Sequence, residues 1–168
     1  MVLPLNRAGC IYCKNDLGYR YKVNNASISG DTTRAARARL LNVLSQQPAD
    51  ISIIELGGND GLRGLSLEEM SANLSEIINE LVLRDNRILL VPMRLPPNYG
   101  QVYNDRFAAV YQELALKYDI VLTEFILQGI ADKPELMQSD GIHPRAEAQQ
   151  MMLDTVWASL QPLLEKDH

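Results

Sequence analysis

The chain has 168 residues, 46% hydrophobic and 22% charged, and its 16 basic residues against 21 acidic ones leave a net charge of −5. That length buries a core in one domain, residues 1–168, and the composition excludes disorder while the acidic balance argues against nucleic acid as a partner. No apolar run reaches membrane-span length, and the first residues lack the basic start and apolar core of a secretory leader, so a cytoplasmic domain is expected.

Residues 1–15 show no clear period, and Pro4 weakens their one apolar run as a central strand. Residues 19–23 are an aromatic and β-branched strand candidate behind Gly18. Residues 24–32 form a polar loop in which Gly30 is free to take an unusual backbone angle. Asp31 or Thr32 then caps a helix running to about Gln46, with Leu40, Leu41 and Leu44 on its buried side.

Residues 51–56, Ile-Ser-Ile-Ile-Glu-Leu, are a short apolar run of the kind buried in a parallel sheet. Gly57 and Gly58 stop it, and Asn59 sits at the turn. Residues 66–84 are the clearest helix: Ser66 and Glu69 make a capping box, and Leu67, Met70, Leu74, Ile77, Ile78 and Leu81 recur at helical spacing as core. Residues 88–93 read as a second buried strand, and 94–100 as a loop stiffened by paired prolines. A helix over 102–118, a short strand over 120–123, an irregular stretch over 127–139 with a helical turn after Pro134, and a closing helix over 145–164 complete the order. Strands alternating with helices predict an α/β chain with a parallel sheet.

Chemistry concentrates in loops. Asp140-Gly-Ile-His143-Pro144 places a carboxylate three residues before an imidazole, the pairing that orients a base in serine-type hydrolases; capping of the last helix beside an exposed histidine is the plainer account. Asn59 after two glycines reads either as turn chemistry or as an amide aimed at a developing oxyanion, and Gly30 either as a bend or as a backbone N–H held toward a substrate oxygen. Cys10 and Cys13, spaced C-x-x-C, lack both the strand-to-helix setting of a redox pair and two further zinc ligands. No phosphate-cradling glycine pattern supports a nucleotide binder, and no cofactor or metal is expected.

Four runs stand in a telling order: Asn25-Ala-Ser-Ile-Ser-Gly-Asp-Thr32, Glu55-Leu-Gly-Gly-Asn-Asp-Gly-Leu-Arg-Gly64, Arg94-Leu-Pro-Pro-Asn-Tyr-Gly100 and Asp140-Gly-Ile-His-Pro144. Together they resemble the SGNH (GDSL) hydrolases, most closely the bacterial thioesterase I, lysophospholipase and arylesterase group, over residues 17–164. The resemblance implies a flavodoxin-like three-layer α/β/α fold and acyl transfer from small esters, thioesters or lysophospholipids through a serine. It implies His143 as general base, Asp140 as its orienting partner, Gly30 and Asn59 as two of three oxyanion-hole donors, and Leu62, Arg63, Leu95, Pro96 and Tyr99 as walls of an acyl pocket.

The family carries its nucleophile in Gly-Asp-Ser-Leu at the end of a first strand, upstream of the glycine block. Here no serine precedes Ser27 and no Gly-Asp-Ser occurs anywhere. The first strand is therefore expected to be missing or replaced, with residues 1–15 atypical. Ser27 and Ser29 belong to the glycine loop, and Cys10 and Cys13 are remote substitutes. The expectation is an inactive or nearly inactive hydrolase, with a non-catalytic acyl-binding protein as the alternative.

Overall fold

The computed structural model describes residues 21–165. Three parallel strands form its sheet in the order β1-β2-β3: β1 (Ile51–Ile54), β2 (Arg87–Leu90) and β3 (Val121–Leu122). Ile51 lies opposite Arg87 and Ile54 opposite Leu90, while Leu89 faces Val121. All four residues of β1 are buried, as a strand covered on both faces demands.

Helices cover both faces, giving three α/β/α layers. On one side lie α1 (Thr33–Gln46), α3 (Leu67–Val82) and α4 (Gln101–Tyr118), whose apolar stripes meet Ile54, Ile88 and Leu90. On the other, α5 (Gln149–Glu165) and the segment around Ile126 and Ile130 pack on Ile51, Ile53 and Leu89. Even and odd residues of β1 thus serve different cores, which is the period-two rule of a pleated strand.

Local chemistry sets the boundaries. Thr32 caps α1 by accepting the Ala35 N–H at 3.3 Å. Ser66 caps α3 by accepting the Glu69 N–H at 3.1 Å. The expected capping box forms only by half, because the Glu69 carboxylate pairs with Arg34 instead. A single turn, α2 (Gly58–Leu62), follows β1, and 3-10 turns occupy Pro97–Tyr99, Pro134–Leu136 and Ala146–Ala148.

Three expectations need correction. Residues 21–23 are not a strand: they run without ladder partners, and only Val23 packs on the core. Leu41 is 56% exposed, because it stands one helical step off the Ala36–Leu40–Leu44 line. The closing helix starts at Gln149 rather than Arg145, after the 3-10 turn. The expectation of a missing or replaced first strand and the Cys10–Cys13 pair concern residues outside the described ones.

Residues 21–31 have a definite course. Arg87 at the start of β2 donates to the Leu163 carbonyl, and Tyr21 Oη donates to the neighbouring Leu164 carbonyl at 3.4 Å, so this segment begins at the foot of the sheet. It ends where Asn59 Nδ2 donates to the Asp31 carbonyl, past the carboxyl end of β1. Residues 21–31 therefore run alongside β1, in the same direction, without pairing to it.

Candidate active site

Gly30, Asn59 and His143 line one cavity of about 570 Å³ at the carboxyl end of β1, the place where open α/β sheets bind ligands. Each is brought there by a different element: Gly30 by the turn before α1, Asn59 by α2, His143 by the loop before α5.

The Gly30 side is tied into the core. Gly30 has φ +82°, a region open to glycine and strained for other residues, so the turn is written into the sequence. Arg63 donates to the Gly30 carbonyl at 3.0 Å, and Asn59 Nδ2 to the Asp31 carbonyl at 3.0 Å. That bond uses one amide hydrogen of Asn59 and leaves the second. Beneath them the buried Asp60 carboxylate accepts the Thr33 N–H at 2.9 Å and the Thr33 hydroxyl at 2.6 Å, while Asn73 Nδ2 donates to that hydroxyl at 3.1 Å. Gly57, at φ +105°, makes the sharp exit from β1; a Cβ there would stand 2.4 Å from Tyr111 Oη. Tyr111 Oη itself donates to the Leu56 carbonyl at 2.7 Å, and burial raises its phenol well above the usual value.

The histidine side is an exposed loop. Asp140 Oδ1 accepts the Ile142 and His143 backbone N–H groups at 2.9 and 3.0 Å, and Oδ2 lies 2.7 Å from His143 Nδ1. The His143 backbone N–H first, then its ring, then the Ile142 N–H hold the Asp140 carboxyl well below the usual carboxylate range. With Nδ1–H given to that carboxylate, Nε2 is the free acceptor of the ring. The loop is closed by Gln138 N–H to the His143 carbonyl at 2.8 Å and Arg145 N–H to the Leu136 carbonyl at 2.7 Å.

The residues expected to form an acyl pocket separate. Leu62 lines the cavity; Arg63 is spent on Gly30; Tyr99 Oη donates to the Leu62 carbonyl at 2.8 Å. Leu95 is buried in the core beneath Gly61, and Pro96 follows it without lining the cavity. Ser27 also lines the cavity, with a buried hydroxyl that has no partner among the described residues.

Sequence reasoning passed over Thr33, Asp60 and Asn73, which hold the glycine turn against α2. Asp60 offered a signal, an acidic residue in the glycine-rich turn between a buried strand and a helix; the other two offered none. It also passed over Glu55 and Gln149. Glu55 follows β1 and lines the cavity, where burial pushes its carboxyl up to about 7. Gln149 is 2% exposed, lines the same cavity, and its side-chain oxygen has no partner among the described residues.

Residues 6–151 match the model of the GDSL-like lipase/acylhydrolase family. Esterase TesA of Pseudomonas aeruginosa is 42% identical over 149 residues, covering 89% of this chain and 74% of that protein. Thioesterase 1/protease 1/lysophospholipase L1 of Escherichia coli K12 is 42% identical over 145 residues, 86% of this chain and 70% of that one. Among solved structures, TesA superposes with a TM-score of 0.87 at 40% identity, covering 93% of this chain and 87% of that one. The psychrotrophic esterase EstA from Pseudoalteromonas gives 0.85 at 33% identity, covering 92% and 85%.

Proposed function

The chain belongs to the GDSL-like lipase/acylhydrolase family, and from that premise we propose that it carries the proton-transfer pair and oxyanion donors of an ester or thioester hydrolase without the attacking serine. The carrying observation is the cavity shared by Gly30, Asn59 and His143, with Asp140 2.7 Å from the imidazole.

The roles follow from chemistry. A substrate carbonyl oxygen gains negative charge as its carbon becomes tetrahedral; the Gly30 N–H and the second Asn59 amide hydrogen stabilise that charge. His143 Nε2 accepts the proton of an attacking hydroxyl and returns it to the leaving alcohol or thiol, while Asp140 fixes the ring and stabilises the imidazolium. The hydroxyl is the absent part: the sequence holds no Gly-Asp-Ser, and Ser27 and Ser29 sit on the wall with Gly30. Loss of the nucleophile from such a site lowers turnover by about 10⁶.

Hydrolysis of p-nitrophenyl butyrate by purified protein tests this reading. Rates at background, unchanged in His143→Ala, are expected. Robust turnover that disappears in His143→Ala and persists in Ser27→Ala and Ser29→Ala would mean that another residue supplies the nucleophile.

A further inference from the structure

Helix α4 carries a second pattern on its solvent side, away from the site. Val102, Arg106, Ala109, Glu113 and Leu116 follow one another in alternating steps of four and three residues. At helical pitch all of them lie within about 40° of one line along the helix. Such spacing forms the seam along which one helix packs on another. Here Val102 is 77% exposed and Leu116 84%. Exposed apolar residues are ordinary when scattered singly; these two stand at the ends of an ordered stripe.

The stripe reads alike from either end: apolar, charged, small, charged, apolar, with the two charges of opposite sign. Val102 and Leu116 each lie about 10 Å along the helix from Ala109, and Arg106 and Glu113 about 4.5 and 6 Å from it. A second copy turned about a two-fold axis at Ala109 therefore sets Val102 against Leu116 and Arg106 against Glu113, each twice. Gln101 falls opposite Lys117 and Gln112 opposite Asp105, so no like charges meet. Both seam charges are available. Glu113 has no hydrogen bond or ion pair among the described residues, and Arg106 meets only Glu68, at 2.9 Å, in a solvent-open pair that holds weakly. Beside the stripe, a groove of about 550 Å³ separates α3 from α4; the short side chains of Ser71, Ala72 and Ala109 on its lining let another helix come close.

We propose that the chain associates with a second copy of itself through α4, the two helices running antiparallel about a two-fold axis at Ala109. The same patch serves both copies, so the contact closes at two. Val102 and Leu116 leave water at the ends of the seam, and Arg106 and Glu113 pair across the axis. One helix from each copy, edged by α3, makes a contact at the small end of stable interfaces, so association is expected in the micromolar range.

Sedimentation velocity on the full chain, at rising concentration, tests this. The wild-type chain is expected to pass from monomer to dimer. Arg106→Glu puts four carboxylates around the axis, and Glu113→Arg puts four guanidinium groups there. Each variant alone is expected to associate at least about tenfold more weakly. Mixed in equal amounts, the two restore both opposite-charge pairs, and a heterodimer as tight as the wild-type dimer is expected. Leu116→Asp is expected to leave monomer only. All three positions are exposed, so circular dichroism spectra matching wild type are expected throughout. A wild-type chain that stays monomeric at every concentration overturns the proposal. A dimer that both charge variants leave intact also overturns it, by placing the contact on another face. Variants that weaken the dimer and fail to recombine when mixed overturn the antiparallel pairing.

Discussion

The two halves of the site are built on opposite principles. The glycine side rests on Asp60, Thr33 and Asn73, each at most 3% exposed, joined by hydrogen bonds at the start of α1, just behind the turn. The histidine side is a loop whose working side chains are open to solvent, 67% for His143 and 44% for Asp140, held by local turns. Groups that stabilise charge must not move when charge develops, and the proposed donors Gly30 and Asn59, themselves outside the core, are accordingly braced from it. Groups that shuttle a proton need access to substrate and water, and tolerate a surface loop.

That contrast is open to attack, from the largest effect downward. Asp60→Ala strips two donors of Thr33 of their acceptor inside the core and is expected to lower stability by about 3 kcal/mol in urea denaturation. A loss below about 1 kcal/mol would mean that the glycine turn does not depend on this network.

Glu55 sharpens the comparison from between the halves. Its folded-state pKa, about 7, lies above the unfolded value. Between the ordinary carboxylate range and about 7 the folded chain therefore holds the extra proton, and stability falls as pH rises through that window. Glu55→Gln is expected to remove this slope, leaving stability near about pH 4 unchanged and raising it at about pH 8, as read from urea midpoints. Identical slopes in both proteins would place the carboxyl in ordinary solvent.

The smallest effect belongs to Asp140. Its depressed pKa keeps it ionised through the usual carboxylate range, and its contribution to stability is lost only as pH falls below that range. Asp140→Ala is expected to lower the thermal midpoint only slightly at neutral pH while releasing protection of the Ile142 amide. A carboxylate carbon resonance that titrates at the usual pH would contradict the bonds described for the loop.

Much of this was legible in the residues. The β-branched run at 51–54 and the heptad-like spacing of α3 declare themselves, because burial on two faces or on one stripe leaves a period in the sequence. Gly30 and the Asp140–His143 pair were visible because a positive φ and a three-residue ion pair are local events. Long-range bonds leave no period. Asp60 meets Thr33 across 27 residues and Asn73 meets Thr33 across 40, and nothing in either neighbourhood announces its partner. The strand expected over 19–23 failed in its described part for the same reason: propensity proposes an extended chain, and only a neighbour makes it a strand.

The phenol under Gly57 has a spectroscopic consequence. Among the five tyrosines of the described residues, Tyr111 combines complete burial with a hydroxyl anchored on the Leu56 carbonyl, just past β1. During an alkaline titration followed by tyrosinate absorbance, this ring should lag behind the other described tyrosines and ionise only when the ground beneath the proposed oxyanion donors gives way. The molecule thus carries its own optical gauge of whether that corner is intact, readable without substrate, label or turnover.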